Sequence, residues 1–166
     1  MKRTRQQVGK FSKNKGYNFE REVSLMLNDW AAEKLFKPQT KDIPELHHRG
    51  DIAKPEWFPF PMWCRKREGW NLEQMLKSPL KCNVLSWWEE IEHPDDWLVF
   101  ARNYFGPYVM CQQGLAWKAL DERVNLKGAL NGCAQFRFQF MAEKVMLFKL
   151  EDFLEMVDVE GFRGYE

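Results

Sequence analysis

The stretch HRGDIAKPEWFPFPMWCRKREGW, residues 48–70, sets an acid and three bases in an order that suits phosphate chemistry. Asp51 follows Gly50 directly, where a turn brings a carboxylate to the start of a strand. An apolar segment comes next, and its end, Met62 to Arg67, is basic through Arg65, Lys66 and Arg67. A carboxylate can hold a hard divalent cation, and a guanidinium can clamp a phosphate with two parallel hydrogen bonds. Together with Lys54, the three bases form the best internal basic patch for phosphate contact. Glu20 is a second acid of interest. It is either the first-turn acid that suits a helix dipole or a metal ligand pointing away from the core. His47 and His48 offer imidazoles beside Asp51 for a metal or a general base, although a solvated loop pair explains them as well.

The elements that must position these residues can be read from periodicity. In GYNFEREVSLMLNDWAAEKLF, residues Phe19, Val23, Met26, Leu27, Trp30 and Leu35 recur mostly at three- and four-residue spacings. That predicts a helix with one apolar face, with Asn18 as its cap and Pro38 closing it. Residues 38–50 read as a loop. Asp51–Ile52 begins a strand, AKPEW turns at Pro55, and Met62 to Arg67 is the part of the next segment that can sit in a sheet, its prolines lying before it. GWNLEQMLK and VLSWWEEIEHPDD read as helices. The adjacent Trp87 and Trp88 allow only one deep contact on such a helix. WLVFARN and YVMCQQ read as neighbouring strands. LAWKALDERV reads as a short helix, QFRFQF as a half-buried strand with its phenylalanines on one face, and VMLFKLEDFLEMV as a last strand leading into a last helix. DVEGFRGYE looks frayed. The order of helix, strand hairpin, helices and strands is that of an α/β domain.

Composition narrows the class. At 166 residues the chain has the size of one domain with a real core. Eight Trp and 13 Phe supply large apolar contacts, and exposed members of the set are suited to stacking on bases. The net charge of +1 hides an asymmetry. Residues 1–15 hold Lys2, Arg3, Arg5, Lys10, Lys13 and Lys15 and no acid, which leaves 19 of the 25 basic side chains against 24 acidic ones, a net of −5. The expectation is a basic flexible arm over 1–15 that contacts phosphate, followed by a single domain over 16–166. Cys64, Cys82, Cys111 and Cys133 form no CxxC pair, which argues against zinc. With no apolar run of membrane length and no signal peptide, reduced thiols in a cytoplasmic protein are expected.

Taken together, GYNFEREVSLMLNDW, RGDI, FPFPMWCRKREGWNLEQML and WWEEIE…WLVFARN…YVM resemble the phage Holliday-junction resolvase-like branch of the PD-(D/E)XK nucleases over about residues 16–112. The resemblance implies a restriction-endonuclease-like core, with a mixed central sheet flanked by helices. Such relatives read a Glu early in the first helix, then an Asp, then a strand Glu-Cys-Lys followed by basic residues and Glu, then a Trp-Trp helix with Gln. Their chemistry uses Mg²⁺, which neutralises charge on the phosphate and activates water, with a Lys that stabilises developing charge.

Carried onto this chain, Glu20 falls at the helix acid, Asp51 at the hairpin aspartate and Cys64 at the middle Cys. Trp63 falls where the second acid belongs and Arg65 where the lysine belongs. Trp cannot ligate Mg²⁺. Arg, with a pKa above about 12, cannot exchange protons but still clamps phosphate. Lys66 lies on the other strand face from Trp63, so it does not replace the lysine. Glu90, in the Trp-Trp helix, is the attractive migrated acid. The resemblance therefore implies a nucleic-acid-binding protein, with branched DNA as its partner and with an eroded site that uses Arg65, Lys66, Arg67 and the arm. Two alternatives stand beside it. One is an active Mg²⁺-dependent endonuclease with Glu20, Asp51 and Glu90 as ligands and catalytic groups, aided by Arg65. The other is a phage module for a protein partner. A homodimer and the cytoplasm of an infected host cell are also implied.

Overall fold

A computed structural model describes residues 5–39, 49–67, 77–78, 82–91, 93–102, 105–112, 134–136, 144–157 and 159–163. The expected helices over GWNLEQMLK and LAWKALDERV, the histidine pair, Cys133 and most of QFRFQF fall largely or wholly outside these residues, as do Lys2 and Arg3.

Helix α1 runs over Arg5–Ala31. Phe19, Val23, Leu27 and Ala31 are all buried, and their strict four-residue spacing is the stripe that holds the helix to the sheet. The helix starts well before the expected cap at Asn18. Residues 5–15, expected as a separate arm, continue the same helix, since their Arg, Lys and Gln are good helix formers and no proline interrupts them. After α1 the chain turns back under the control of Asn28. Its Nδ2 donates to the Phe36 carbonyl at 2.8 Å and its Oδ1 accepts the Phe36 N–H at 2.7 Å. That places β1, Lys37–Pro38, antiparallel to β2, Ile52–Ala53, where only a loop was expected.

The main sheet has β3 at Met62–Lys66, β4 at Trp97–Arg102, β5 at Phe105–Gln112, β6 at Ala134–Phe136 and β7 at Val145–Lys149. Its order is β3-β4-β5-β7-β6. β3 and β4 are parallel, and every other pairing is antiparallel. Between β3 and β4 lies helix α2, Asn83–Glu89, as a parallel crossover requires. Two helices close the chain, α3 at Leu150–Met156 and α4 at Val159–Arg163. This mixed sheet flanked by helices is a restriction-endonuclease-like core.

Alternation divides the strands between two cores. Met62, Cys64, Trp97, Val99, Ala101, Val109, Cys111, Met146 and Phe148 face α1, with Phe58 and Phe60. Leu98, Phe100, Met110, Val145 and Leu147 face α2, with Trp63 packed beside them. Trp87 and Trp88 are both buried at 6% exposure. Only one was expected to be, but α2 is short and covered on more than one side, with the Arg67 guanidinium 6.0 Å from the Trp87 ring centre. The tail expected to fray forms α4, because Phe162 is fully buried among Trp30, Phe58 and Phe60. Trp30 Nε1 also donates to the Val157 carbonyl at 2.7 Å, and Arg163 pairs with Glu33 at 2.6 Å. Cys64, Cys82 and Cys111 are buried and form no disulfide among the described residues.

Candidate functional site

The site lies where the start of β2, the middle of β3 and the end of α2 meet beside α1. Gly50 brings them together. Its φ is +103°, and a Cβ there would stand 2.6 Å from the Met62 carbonyl oxygen and 2.9 Å from the Met62 nitrogen. Only glycine lets the chain pass so close to β3. The Asp51 N–H then donates to the Met62 carbonyl at 2.7 Å, and the Asp51 side chain reaches along the strand. Its Oδ2 accepts the Cys64 N–H at 2.7 Å and an Arg65 guanidinium N–H at 2.9 Å. The other end of that guanidinium stands 3.5 Å from a Glu90 carboxylate oxygen. Arg65 therefore spans the hairpin acid and the acid of α2.

Glu20 faces the same corner from α1. Burial pushes its carboxyl above the usual 4.5. The negative charge of Asp51 adds to that push, and Arg65 opposes it. The Cys64 thiol is raised further, by burial first and then by Asp51 and Glu20, so it stays protonated and cannot act as a thiolate. A raised acid makes a testable statement about stability. Folded Glu20 holds its proton to higher pH than an unfolded glutamate does. Its stabilising share is fully present below about pH 4.5 and is lost as pH rises through the folded value. Glu20→Gln, which cannot ionise, should melt above the wild type near neutral pH and no higher at about pH 4. An identical difference at both would rule out this electrostatic account.

Trp63 holds a different contact. Its Nε1 donates at 2.8 Å to Asp96, whose other oxygen accepts from Arg49 Nε at 2.6 Å. The Asp96 side chain is fully buried. This latch was not foreseen from the sequence. Asp96 follows Asp95 and His93-Pro94 in a turn, and nothing local marks it as buried. Arg49 also holds Asp95 at 2.9 Å.

The basic residues are distributed unevenly. Arg65 is committed to acids. Lys66 pairs with Glu22 at 2.8 Å and lies 5.1 Å over the buried Phe19 ring. Arg67 is exposed and has no acid partner among the described residues. Lys54 donates to the Phe58 carbonyl at 2.6 Å, apart from Arg65 and its acids. Lys15 is half-buried on α1, and Arg5, Lys10 and Lys13 lie on the same helix.

These placements can be weighed against a metal. Mg²⁺ needs near-octahedral oxygen ligands at about 2.0–2.1 Å. Asp51 Oδ2 already accepts two hydrogen bonds. Among the described residues no group of three or more His, Cys, Asp or Glu is placed to hold an ion. The residues as arranged do not fit Mg²⁺. Glu20, Asp51 and Glu90 are gathered around a guanidinium instead.

An Asp at the hairpin, a helix acid and a basic residue on the strand that follows form the frame of one nuclease superfamily. The family described as "Phage putative PDDEXK endonuclease" matches residues 11–162. The chain belongs to that family. No curated protein and no solved structure matches it. Nucleases of the phage PD-(D/E)XK family typically use Mg²⁺. Among the described residues no helix is long and apolar enough to cross a membrane.

Proposed function

We propose that this chain is a nucleic-acid-binding member of its family, directed to branched DNA and no longer a cleaving enzyme. The observation that carries the reading is Arg65. One guanidinium reaches both Asp51 and Glu90, so a fixed monovalent side chain does the neutralising that a divalent ion would otherwise do. It can balance charge, but it can neither deprotonate a water nor contribute a ligand position. Losing such groups removes transition-state stabilisation on the scale of about 2.7–4 kcal/mol for a single donor. Phosphate binding through Arg67 and the basic residues of α1 does not depend on them.

A second reading, retained Mg²⁺-dependent cleavage with Glu20, Asp51 and Glu90 as ligands, has one observation in its favour. Glu20 is raised partly by Asp51, so two acids share a half-buried corner and an added cation would relieve them. That reading requires Arg65 to swing away from both of its partners.

The full chain should be mixed with labelled four-way-junction, duplex and single-stranded DNA in Mg²⁺, in Mn²⁺ and in EDTA across a salt series. The expected result is binding that weakens steeply with salt, tightest for the junction, with no cutting under any condition. Cutting that needs the metal and disappears in Asp51→Ala would overturn the proposal in favour of the second reading. Absence of binding would leave the fold as a scaffold for a protein partner. A junction bound by two copies, and action in the cytoplasm of a phage-infected cell, belong to the same proposal.

A further inference from the structure

The basic edge of the sheet carries a feature that the carboxylate corner does not use. β4 ends at Arg102, whose register partner on β5 is Phe105. The Arg102 guanidinium carbon lies 3.9 Å from the centre of the Phe105 ring, yet the residue remains 51% exposed. The ring is thus backed by a guanidinium and half open to water. Next to it, inside β5, Gly106 has a φ of +105°. The Arg67 N–H donates to the Ala101 carbonyl at 3.2 Å, so the exposed Arg67 leaves β3 beside the residue preceding Arg102. Residues 97–112 contain no acid. Arg65 is paired with Phe100 across β3 and β4. Arg102 therefore lies two residues beyond the carboxylate corner, about 7 Å along the strand.

We infer that Phe105, backed by Arg102, is a stacking seat for an unpaired base, with Arg67 taking the adjoining phosphate. Arg102 covers one face of the ring and adds a cation–π contact, while the exposed part of the ring is available to a base. A duplex offers no such base, because its bases are stacked on one another. The seat thus confers a preference for DNA that carries unpaired nucleotides, as at a branch or a flap. This inference rests on the nucleic-acid reading above.

The test uses the full chain and two fluorescent DNAs, a duplex with a single-stranded flap and the same duplex blunt-ended. Wild type should prefer the flap. Phe105→Ala should weaken flap binding about tenfold, on the scale of one base–aromatic stack, and leave blunt binding within about twofold. Phe105→Trp should restore the preference. With 2-aminopurine in the flap, wild type should quench its fluorescence and Phe105→Ala should not. Because Phe105 is exposed, the alanine variant should melt with the wild type. Equal loss on both DNAs, or unchanged flap binding, overturns the stacking seat while the nucleic-acid reading stands. Failure of wild type to bind either DNA overturns both.

Discussion

Trp63→Glu, which sets a carboxylate between Met62 and Cys64 on β3, is expected to destabilise the protein by about 3–4 kcal/mol. Two losses combine. The indole packs beside Leu98, Phe100 and the tryptophans of α2, and a shorter charged side chain leaves that contact empty. The indole N–H also serves the fully buried Asp96. A glutamate there would present a second negative charge to a carboxylate left with Arg49 alone. Arg49 is about a third exposed, at 35%, and can follow the charge into water, so the cost stays below that of a pair sealed on all sides. Trp63→Phe keeps most of the packing and loses only the hydrogen bond, for about 1–2 kcal/mol. Urea unfolding of the three proteins measures both steps. A Trp63→Glu variant as stable as wild type would show that Asp96 does not depend on the indole.

Gly50→Ala is the second large effect, about 3 kcal/mol and a melting temperature lower by about 6–12 °C. The added methyl would meet main-chain atoms of Met62 at 2.6, 2.9 and 3.2 Å. Backbone cannot step aside as a side-chain tip can, and a φ of +103° is strained for any L-residue. Relief requires the chain to move off β3. That breaks the Asp51 N–H bond to Met62 and draws the Asp51 carboxylate away from the Cys64 N–H and Arg65. Stability and site geometry should therefore fail together. Thermal unfolding gives the first, and a changed pH dependence through Glu20 reports the second. A variant that melts within about 2 °C of wild type would mean that the Gly50 approach is not needed.

Both predictions concern how the corner is built, and its electrostatics shape where DNA can lie. Three acids face one committed arginine there, while Lys66 is already paired with Glu22. A phosphate gains little at Arg65 and more at the exposed Arg67, further along the sheet. The basic triplet at 65–67 thus divides by strand face and neighbour. One member is bound to acids, one to the helix, and one is exposed to solvent.

Much of this was legible in the sequence, for identifiable reasons. The apolar stripe of α1, the strands WLVFARN and YVM, and the passage from β7 into α3 follow from periodicity, which is a local property of the chain. The frame of Glu20, Asp51 and Arg65 followed from a motif, and the fold brings those three side chains to one corner. The misjudged elements were decided by distant contacts. Residues 159–163 are helical because Phe162 fits an aromatic pocket built by α1 and the segment before β3. β1 exists because Asn28, eight residues earlier, holds both polar groups of Phe36. Both tryptophans of α2 are buried because the helix is covered on more than one side. No local pattern encodes these facts.

The division is the same at the site. Sequence alone determined which residue types were available: a hairpin acid, a helix acid, and a Trp and an Arg two residues apart on one strand. It could not determine what each would face. Tertiary structure turned Trp63 onto Asp96, set Arg65 between Asp51 and Glu90, and left Arg67 and Phe105 exposed at the sheet edge. Motif identity is written in covalent order, whereas the partner of a charge or a ring is fixed only when strands 30 or more residues apart take their register.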